Sequence, residues 1–571
     1  MKLILRHYLT ALRERDELDA VLPDLLSEIG FDIITRPARG TRQSGVDIAA
    51  VGPDPDNADI QTLFLFSVKS GNLGRADWDG TPQALRSSLN EILDSYIPNR
   101  VPQQYEKLPI AICVCMGGEM LETVRENWTS FVRKNAKDGI SFREWNGDRL
   151  ANMLLGGILK QDLLAVEHRS DFQKAVAMID QPDIAYRYFS SLVSRLISDA
   201  DNPKLGTQRL RQVYITLWVV FVWAREADNL EAPYRASELA LLRGWELCKP
   251  ELGLDTKVQS DRMLVLDQIL KLHIIISHAL IKEKAGAVVG QDYALSMAVG
   301  SQAHADVNLA LFEFLGRVCT LGIWCHFTGT TSEDASFQKL SYQQRNHALD
   351  TAIQAINANP CLLSPILDSF SIEISLLLQL AQLCERTIDI APYIKGVANR
   401  LCFALQSRNG YPTCSTDYRD VVAHPTTRDN AYFEQHTKGS VLYPVIVTWL
   451  YWLGAEREKE QLASVIKKEL PHSTQQVWLI GDDSEPGIWR GNHDHGFAIP
   501  GLNVSENTED LIKTLEKACE DHPYLEDLSA YKAGLWPLIF AACRHYRFPV
   551  PPQLWLAIGN DGVSDQNNFE I

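Results

Sequence analysis

The chain contains no pair of cysteines at CxxC spacing; its eleven cysteines are scattered, mostly inside apolar stretches such as IAICVC, which carries Cys113 and Cys115. That pattern excludes the common structural zinc sites and predicts reduced, buried thiols. The sequence also lacks GxxxxGK[ST], which excludes ATP hydrolysis by a P-loop. No uncharged apolar run reaches the roughly 18 to 20 residues of a membrane span. The nearest approaches, 215–224 and 441–454, read as buried helices. The start, MKLILRHYLTALRERDEL, turns charged after a few apolar residues and has no small-residue cleavage site, so a signal peptide is not expected and a cytoplasmic protein with no membrane partner is. No repeat of fixed period with signature residues is present, so a named solenoid family is not supported. Basic charge is scarce as well: 55 Lys and Arg stand against 72 Asp and Glu, for a net charge of −17. The deficit is uneven, with −3 on residues 1–160 and −14 on the remainder. A phosphate-binding surface is therefore expected in the N-terminal part.

What is present is ordinary for a globular protein: 46% hydrophobic and 22% charged residues across 571 positions, enough for at least two domains of roughly 150 residues. Residues 1–160 mix helical and strand periods. Segments 3–15 and 18–29 carry apolar residues at three and four spacing, as do 82–96 and 119–134. Short runs rich in Val, Ile and Phe at 31–35, 46–51, 62–68, 110–116 and 140–145 predict strands, and PDPDNAD at 53–59 predicts the turn of an antiparallel hairpin. The expectation is an α/β domain with a mixed central sheet flanked by helices. Residues 161–571 read as mainly helical, with long segments at 185–197, 208–227, 264–281, 307–327, 366–383, 443–462 and 528–546; a subdivision near 330–400 stays open.

The informative stretch is RPARGTRQSGVDIAAVG at 36–52 followed by QTLFLFSVKSGN at 61–72. Asp47 opens one arm of the expected hairpin and Lys69 ends the other, so the turn brings an acid and a cation to one edge of the sheet. Hard divalent cations take oxygen ligands, which Asp47, a neighbouring helix acid and the Val68 carbonyl could supply. Arg36, Arg39 and Arg42 lead into one strand, and Lys69 and Arg75 follow the other; these cations suit backbone phosphates.

The arrangement resembles the PD-(D/E)xK nuclease superfamily, in particular its Mrr-like restriction endonuclease branch. GxD is here Gly45, Val46 and Asp47, and the later triplet is Ser67, Val68 and Lys69. Upstream, LDAVLPDLLSEIGFDI resembles the family's opening helix, with Asp19 as the acid and Gly30 and Phe31 closing it. Downstream, PIAICVCMGGEM and ISFREWNGDRLANML resemble its later core strand and closing strand and helix. About 155 residues are covered. The resemblance implies a restriction-endonuclease-like fold and Mg²⁺- or Mn²⁺-dependent cleavage of DNA. It implies metal ligation by Asp47, Asp19 (or Glu28 in its place) and the Val68 carbonyl, with Lys69 orienting the attacking water or stabilising the charged transition state. Ser67 departs from the pattern, standing where most members have Glu or Asp and Mrr-like members often have Gln.

Asp19 shares a helical face with Leu22, Leu26 and Ile29, a costly place for an unpaired carboxylate. Alternatively, Pro23 starts a new helix and Asp19 sits in the turn before it. An Mrr-like nuclease joined to a large helical region resembles bacterial restriction or anti-phage machinery, in which the acidic region would sense a protein or small-molecule trigger; a partner ATPase and a homo-oligomer remain open. The competing expectation is a catalytically degenerate nucleic-acid-binding or protein-interaction scaffold. Weaker signals are assigned to packing and solvent: GNHDHGFAIPG at 491–501 to a loop, GDDSEPG at 481–487 to a solvated turn, and Trp218, Trp223, Trp324, Trp449, Trp452 and Trp536 to cores.

Overall fold

A computed structural model describes residues 2–35, 44–54, 57–81, 84–137, 139–156, 166–198, 203–249, 257–424, 429–492, 494–504 and 507–560. The chain divides into two compact units, residues 1–236 and 237–571.

The first unit is built on a five-stranded mixed sheet. Its strands are β1 (Asp32–Thr35), β2 (Ile48–Asp54), β3 (Asn57–Lys69), β4 (Ile110–Met116) and β5 (Ile140–Trp145), in that spatial order. β1, β2 and β3 pair antiparallel, while β3, β4 and β5 pair parallel. The central strands are apolar on both faces, as strands covered by helices on each side must be: Phe64, Leu65, Phe66, Val68 and every residue of β4 are buried. On one face Leu63, Leu65, Ile112, Val114 and Met116 pack with Leu85, Leu89 and Ile92 and with Val124, Trp128 and Phe131. On the other, Trp145 meets Phe66 edge to face at 5.0 Å, and Phe31 lies 5.0 Å from Phe64. Arg143 of β5 makes a two-pronged bond to Asp54 at the end of β2, a geometry that fixes both groups.

The expected N-terminal helices are interrupted. Helix α1 (Lys2–Ala11) stops, a single π-helical turn spans Glu14–Leu18, and α2 runs Asp19–Glu28 with Pro23 inside it. The break has a local cause: Arg13 is extended, and its N–H donates to the Glu17 carboxylate at 2.8 Å instead of continuing the helix. Helices α3 (Leu85–Glu91), α4 (Glu122–Asn135) and α5 (Gly147–Gly156) follow the sheet order. Three more, α6 (Val166–Ala177), α7 (Pro182–Ser198) and α8 (Pro203–Glu226), belong to the same unit. Helix α9 (Glu231–Cys248) crosses the division.

The second unit is mainly helical, with α10 (Lys257–Lys284), α11 (His304–Thr330), α12 (Ala335–Ala358), α13 (Ser371–Leu383), α14 (Ala391–Ser407), α15 (Leu442–Trp452), α16 (Glu456–Glu469) and α17 (Pro537–Tyr546) at its centre. Two expected long helices are split. Gly454 at φ +64° separates α15 from α16, and Gly534 at φ +70° precedes α17; both take the left-handed conformation that ends helices. The segment expected to be helical from 366 starts its α-helix only at Ser371. A small sheet also forms where strands were not expected: β6 (Gly439–Ser440), β7 (Thr474–Leu479) and β8 (Phe497–Pro500).

Two helices that carry charges within them come near the length and composition of a span. Lys257–Glu283 and His304–Thr330 are long and apolar enough to cross a membrane by length and composition. Their most apolar windows are 50% and 72% buried within the fold, and α11 carries the buried Arg317, paired with Glu313 at 2.9 Å.

Arg317 belongs to a charged network at the core of the second unit. Arg544 is buried against Glu238 and bonds Glu313 at 2.7 Å; His545 Nδ1 lies 3.1 Å from the second Glu238 oxygen. Burial pushes the Glu238 carboxyl up, and Arg544 and His545 overcome that push and hold it well below its ordinary value of 4.5. A carboxyl depressed in this way stabilises the fold fully above about 4.5 and progressively less as pH falls toward its folded value. Arg544→Met is expected to destabilise this unit by about 3 to 5 kcal/mol, since it strands a buried carboxylate. Glu238→Gln should flatten the loss of stability between about pH 5 and about pH 3, both read from urea denaturation midpoints.

Candidate active site

Asp47 stands at the entrance to β2. Ile48 is registered with Phe66, and the Asp47 N–H also donates to the Phe66 carbonyl at 2.9 Å. Asp47 lies just outside the registered pairs of β2 and β3, so its side chain is not held to the regular ladder. The Asp47 carboxylate uses that freedom to accept the Val68 N–H, at 2.7 Å to Oδ2. It therefore lies at the peptide joining Ser67 to Val68, beside the two residues that the sequence pattern groups with it.

The loop before Asp47 has little room. Gly45 sits at φ +80°, and a Cβ there would stand 2.1 Å from the Ser88 carbonyl oxygen of α3. Both the backbone conformation and the close approach require glycine, so the first residue of the GVD motif seats the loop on α3.

Side chains alternate along a strand, so Ser67 and Lys69 share one side of β3 while the buried Val68 takes the other. Ser67 is 1% exposed, and its hydroxyl has no hydrogen-bond partner among the described residues. Lys69, at the end of β3, extends its amine to Glu14, at 3.3 and 3.4 Å to the two carboxylate oxygens. Glu14 opens the π-helical turn. It is the acid that sequence reading missed: the expected ligands on this stretch were Asp19 and Glu28, whereas the carboxylate bonded to Lys69 lies five residues before Asp19. Its signal was present in the ERDEL run, but a continuous helix through 3–15 gave no reason to turn Glu14 toward the sheet.

Asp19 begins α2 and is half-buried, and Glu28 is the last residue of that helix. Arg75 is exposed at the start of a short helix, Arg75–Asp79. Arg36, Arg39 and Arg42 lie outside the described residues. Among the described residues no group of three or more His, Cys, Asp or Glu is arranged to hold a metal. The stretch 491–501, expected as a loop, contains strand β8 at Phe497–Pro500; His493 lies outside the described residues, and the ring of His495 stacks on Phe548 at 3.8 Å, a packing role.

Near the carboxyl ends of β4 and β5 lies a polar cavity of about 310 Å³, lined by Arg6, Thr10, Asn72, Glu119 and Asp148 among others. Its charges are already matched: Arg6 pairs with Glu119 and Asp148, and Lys2 with Asp148 at 3.0 Å. It offers little to a phosphate.

No protein-family model matches the chain, and neither a curated protein nor a solved structure matches it.

Two carboxylates contact this end of β3, Asp47 at the Val68 amide and Glu14 at the Lys69 amine, and oxygen donors of this kind are what a hard divalent cation takes. Mg²⁺ keeps several waters and is commonly held through one or two carboxylates; the buried Ser67 hydroxyl adds an oxygen with no hydrogen-bond partner among the described residues. An unsatisfied buried hydroxyl costs roughly 1 to 3 kcal/mol. Ser67→Ala is accordingly expected to raise thermodynamic stability by about 1 kcal/mol in urea denaturation. A loss of stability would show that the hydroxyl serves the fold.

Proposed function

We propose that the first unit carries a restriction-endonuclease-like nuclease domain that cleaves DNA phosphodiester bonds with Mg²⁺ or Mn²⁺. The single observation carrying this reading is the carboxylate of Asp47 held on the Ser67–Val68 peptide, two residues from Lys69, on a mixed sheet whose strands follow the order that the GVD and SVK motifs imply. Asp47 and Glu14 are the ligands best supported for the ion, with Asp19 or Glu28 and the Val68 carbonyl as further candidates. The ion would supply Lewis acidity to activate water and to neutralise charge building on the scissile phosphate. Lys69 supplies a fixed positive charge at the strand end, poised to orient the nucleophile or to stabilise the transition state. The exposed Arg75 offers a contact for backbone phosphate, a role also assigned to Arg36, Arg39 and Arg42.

The second unit, acidic and mainly helical, suits sensing or restraint better than DNA binding, because like charge repels the phosphate backbone. The assembly is read as a cytoplasmic effector of bacterial restriction or anti-phage defence, triggered by a protein or small molecule; this context rests on architectural analogy.

A second reading is favoured by two observations: Ser67 replaces the usual carboxylate, and no three-ligand cluster forms among the described residues. In that reading the domain binds nucleic acid or protein without cutting. Plasmid DNA incubated with the pure full-length protein and Mg²⁺ or Mn²⁺ decides between them. Cleavage is expected from the wild type and loss of at least about a hundredfold from Asp47→Ala and Lys69→Ala, the scale of removing a preorganised charge. Equal degradation by all three would sink the nuclease assignment, and DNA binding that survives Lys69→Ala with no cleavage in either metal would establish the scaffold.

A further inference from the structure

The π-helical turn that presents Glu14 to Lys69 is itself held from a distance of 208 positions along the chain. Glu17, one turn beyond Glu14, has a carboxylate only 4% exposed. A carboxylate taken out of water must be paired, and its firmest partner is Arg225 in the last turn of α8, with Nη1 at 2.7 Å from one oxygen and Nη2 at 3.3 Å from the other. The same Nη2 donates to the Ala11 carbonyl at 3.0 Å. Ala11 is the last residue of α1, so its carbonyl is one of the acceptors a helix leaves unpaired at its end, where a cation is favoured. The guanidinium also lies over the Phe221 ring, 5.2 Å from its centroid. The other cation on Glu17, Arg13, is 74% exposed and its side chain lies 3.7 Å away, a geometry that contributes little.

From these contacts we propose that Arg225 is a positioning residue for the Lys69 site. By tying the end of α1 and the Glu17 carboxylate to α8, it fixes the turn whose first residue, Glu14, rests on the Lys69 amine. Without the guanidinium, the buried Glu17 carboxylate keeps the Arg13 N–H but loses its buried countercharge; it is then drawn toward water, the turn shifts with it, and Glu14 leaves Lys69. π-helical turns are uncommon and concentrate at functional sites; here the turn needs a partner from outside its own helix.

The catalytic consequence rests on the nuclease reading, whereas the positional one does not, and the test separates them. Full-length wild type, Glu14→Gln, Glu17→Gln, Arg225→Met and Arg225→Lys are treated with an amine-acylating reagent, and the labelling rate of Lys69 is followed by mass spectrometry against the exposed Lys107 as reference. Thermal melts show which variants remain folded. Lys69 labelling is expected to rise several-fold in Glu14→Gln and by a similar factor in Arg225→Met and Glu17→Gln, with Lys107 unchanged and Arg225→Lys restored part of the way to wild type. An unchanged Lys69 rate in folded Arg225→Met or Glu17→Gln would overturn the proposal, as would an unchanged rate in Glu14→Gln. Where the wild type cleaves DNA, Arg225→Met should lower kcat with KM unmoved; an unaltered kcat overturns the catalytic consequence. If the wild type does not cleave, the nuclease reading falls and the labelling rates still decide the role of Arg225.

Discussion

The bond between the Asp47 carboxylate and the Val68 amide sets the geometry of the candidate site. It closes the β2–β3 ladder at its entrance with a side chain in place of a backbone carbonyl, and a hydrogen bond to an ionised acceptor contributes about 1.5 to 3 kcal/mol. The same contact decides where the carboxylate can be. Once Oδ2 is committed to Val68, the acid is anchored at the Ser67–Val68 peptide, one residue before Lys69. The Asp47 N–H on the Phe66 carbonyl and the left-handed Gly45 against the Ser88 carbonyl serve the same placement. Fold and site are coupled here, because the group that would do chemistry also finishes the hairpin.

Around that fixed point the charges are arranged in two tiers. Lys69 faces Glu14 at the sheet edge, where both remain partly open to solvent. Behind them Glu17 is sealed and matched by Arg225. The outer, partly buried pair can exchange partners at lower cost than the sealed one. In the proposed nuclease reading, a site that admits an ion and a phosphate is served by this division: an outer pair able to part and an inner pair that keeps its support in place.

The sheet was legible in the sequence because its strands are short apolar runs between turn residues. Ile110–Met116 and Ile140–Trp145 match the expected bounds, and β3 begins at Asn57 only because its polar first residues lie outside the apolar pattern. Asp47 and Lys69 were legible as a pair because one hairpin carries both. Glu14 was not, since nothing local announces that Arg13 will turn out of the helix to reach Glu17. Arg225 was beyond reach for a different reason, as its partners lie more than 200 positions away. In the second unit, β6 is two residues long and gives no period to read, and the splitting of two long apolar segments rests on single glycines whose φ is set by packing. The buried charges of α10 and α11 likewise become intelligible only beside their partners, which is why apolar length alone was a poor guide to these helices.

The central claim is that Asp47 helps to hold a divalent cation beside Lys69. Titration of the full-length protein with Mn²⁺, followed by calorimetry or by the paramagnetic signal of the free ion, tests it without any assumption about the substrate. The account predicts a binding site in the wild type that Asp47→Asn weakens by at least about tenfold, the scale of disturbing a metal's ligand shell, while Arg75→Gln leaves it intact. Equal Mn²⁺ affinity in wild type and Asp47→Asn would contradict it.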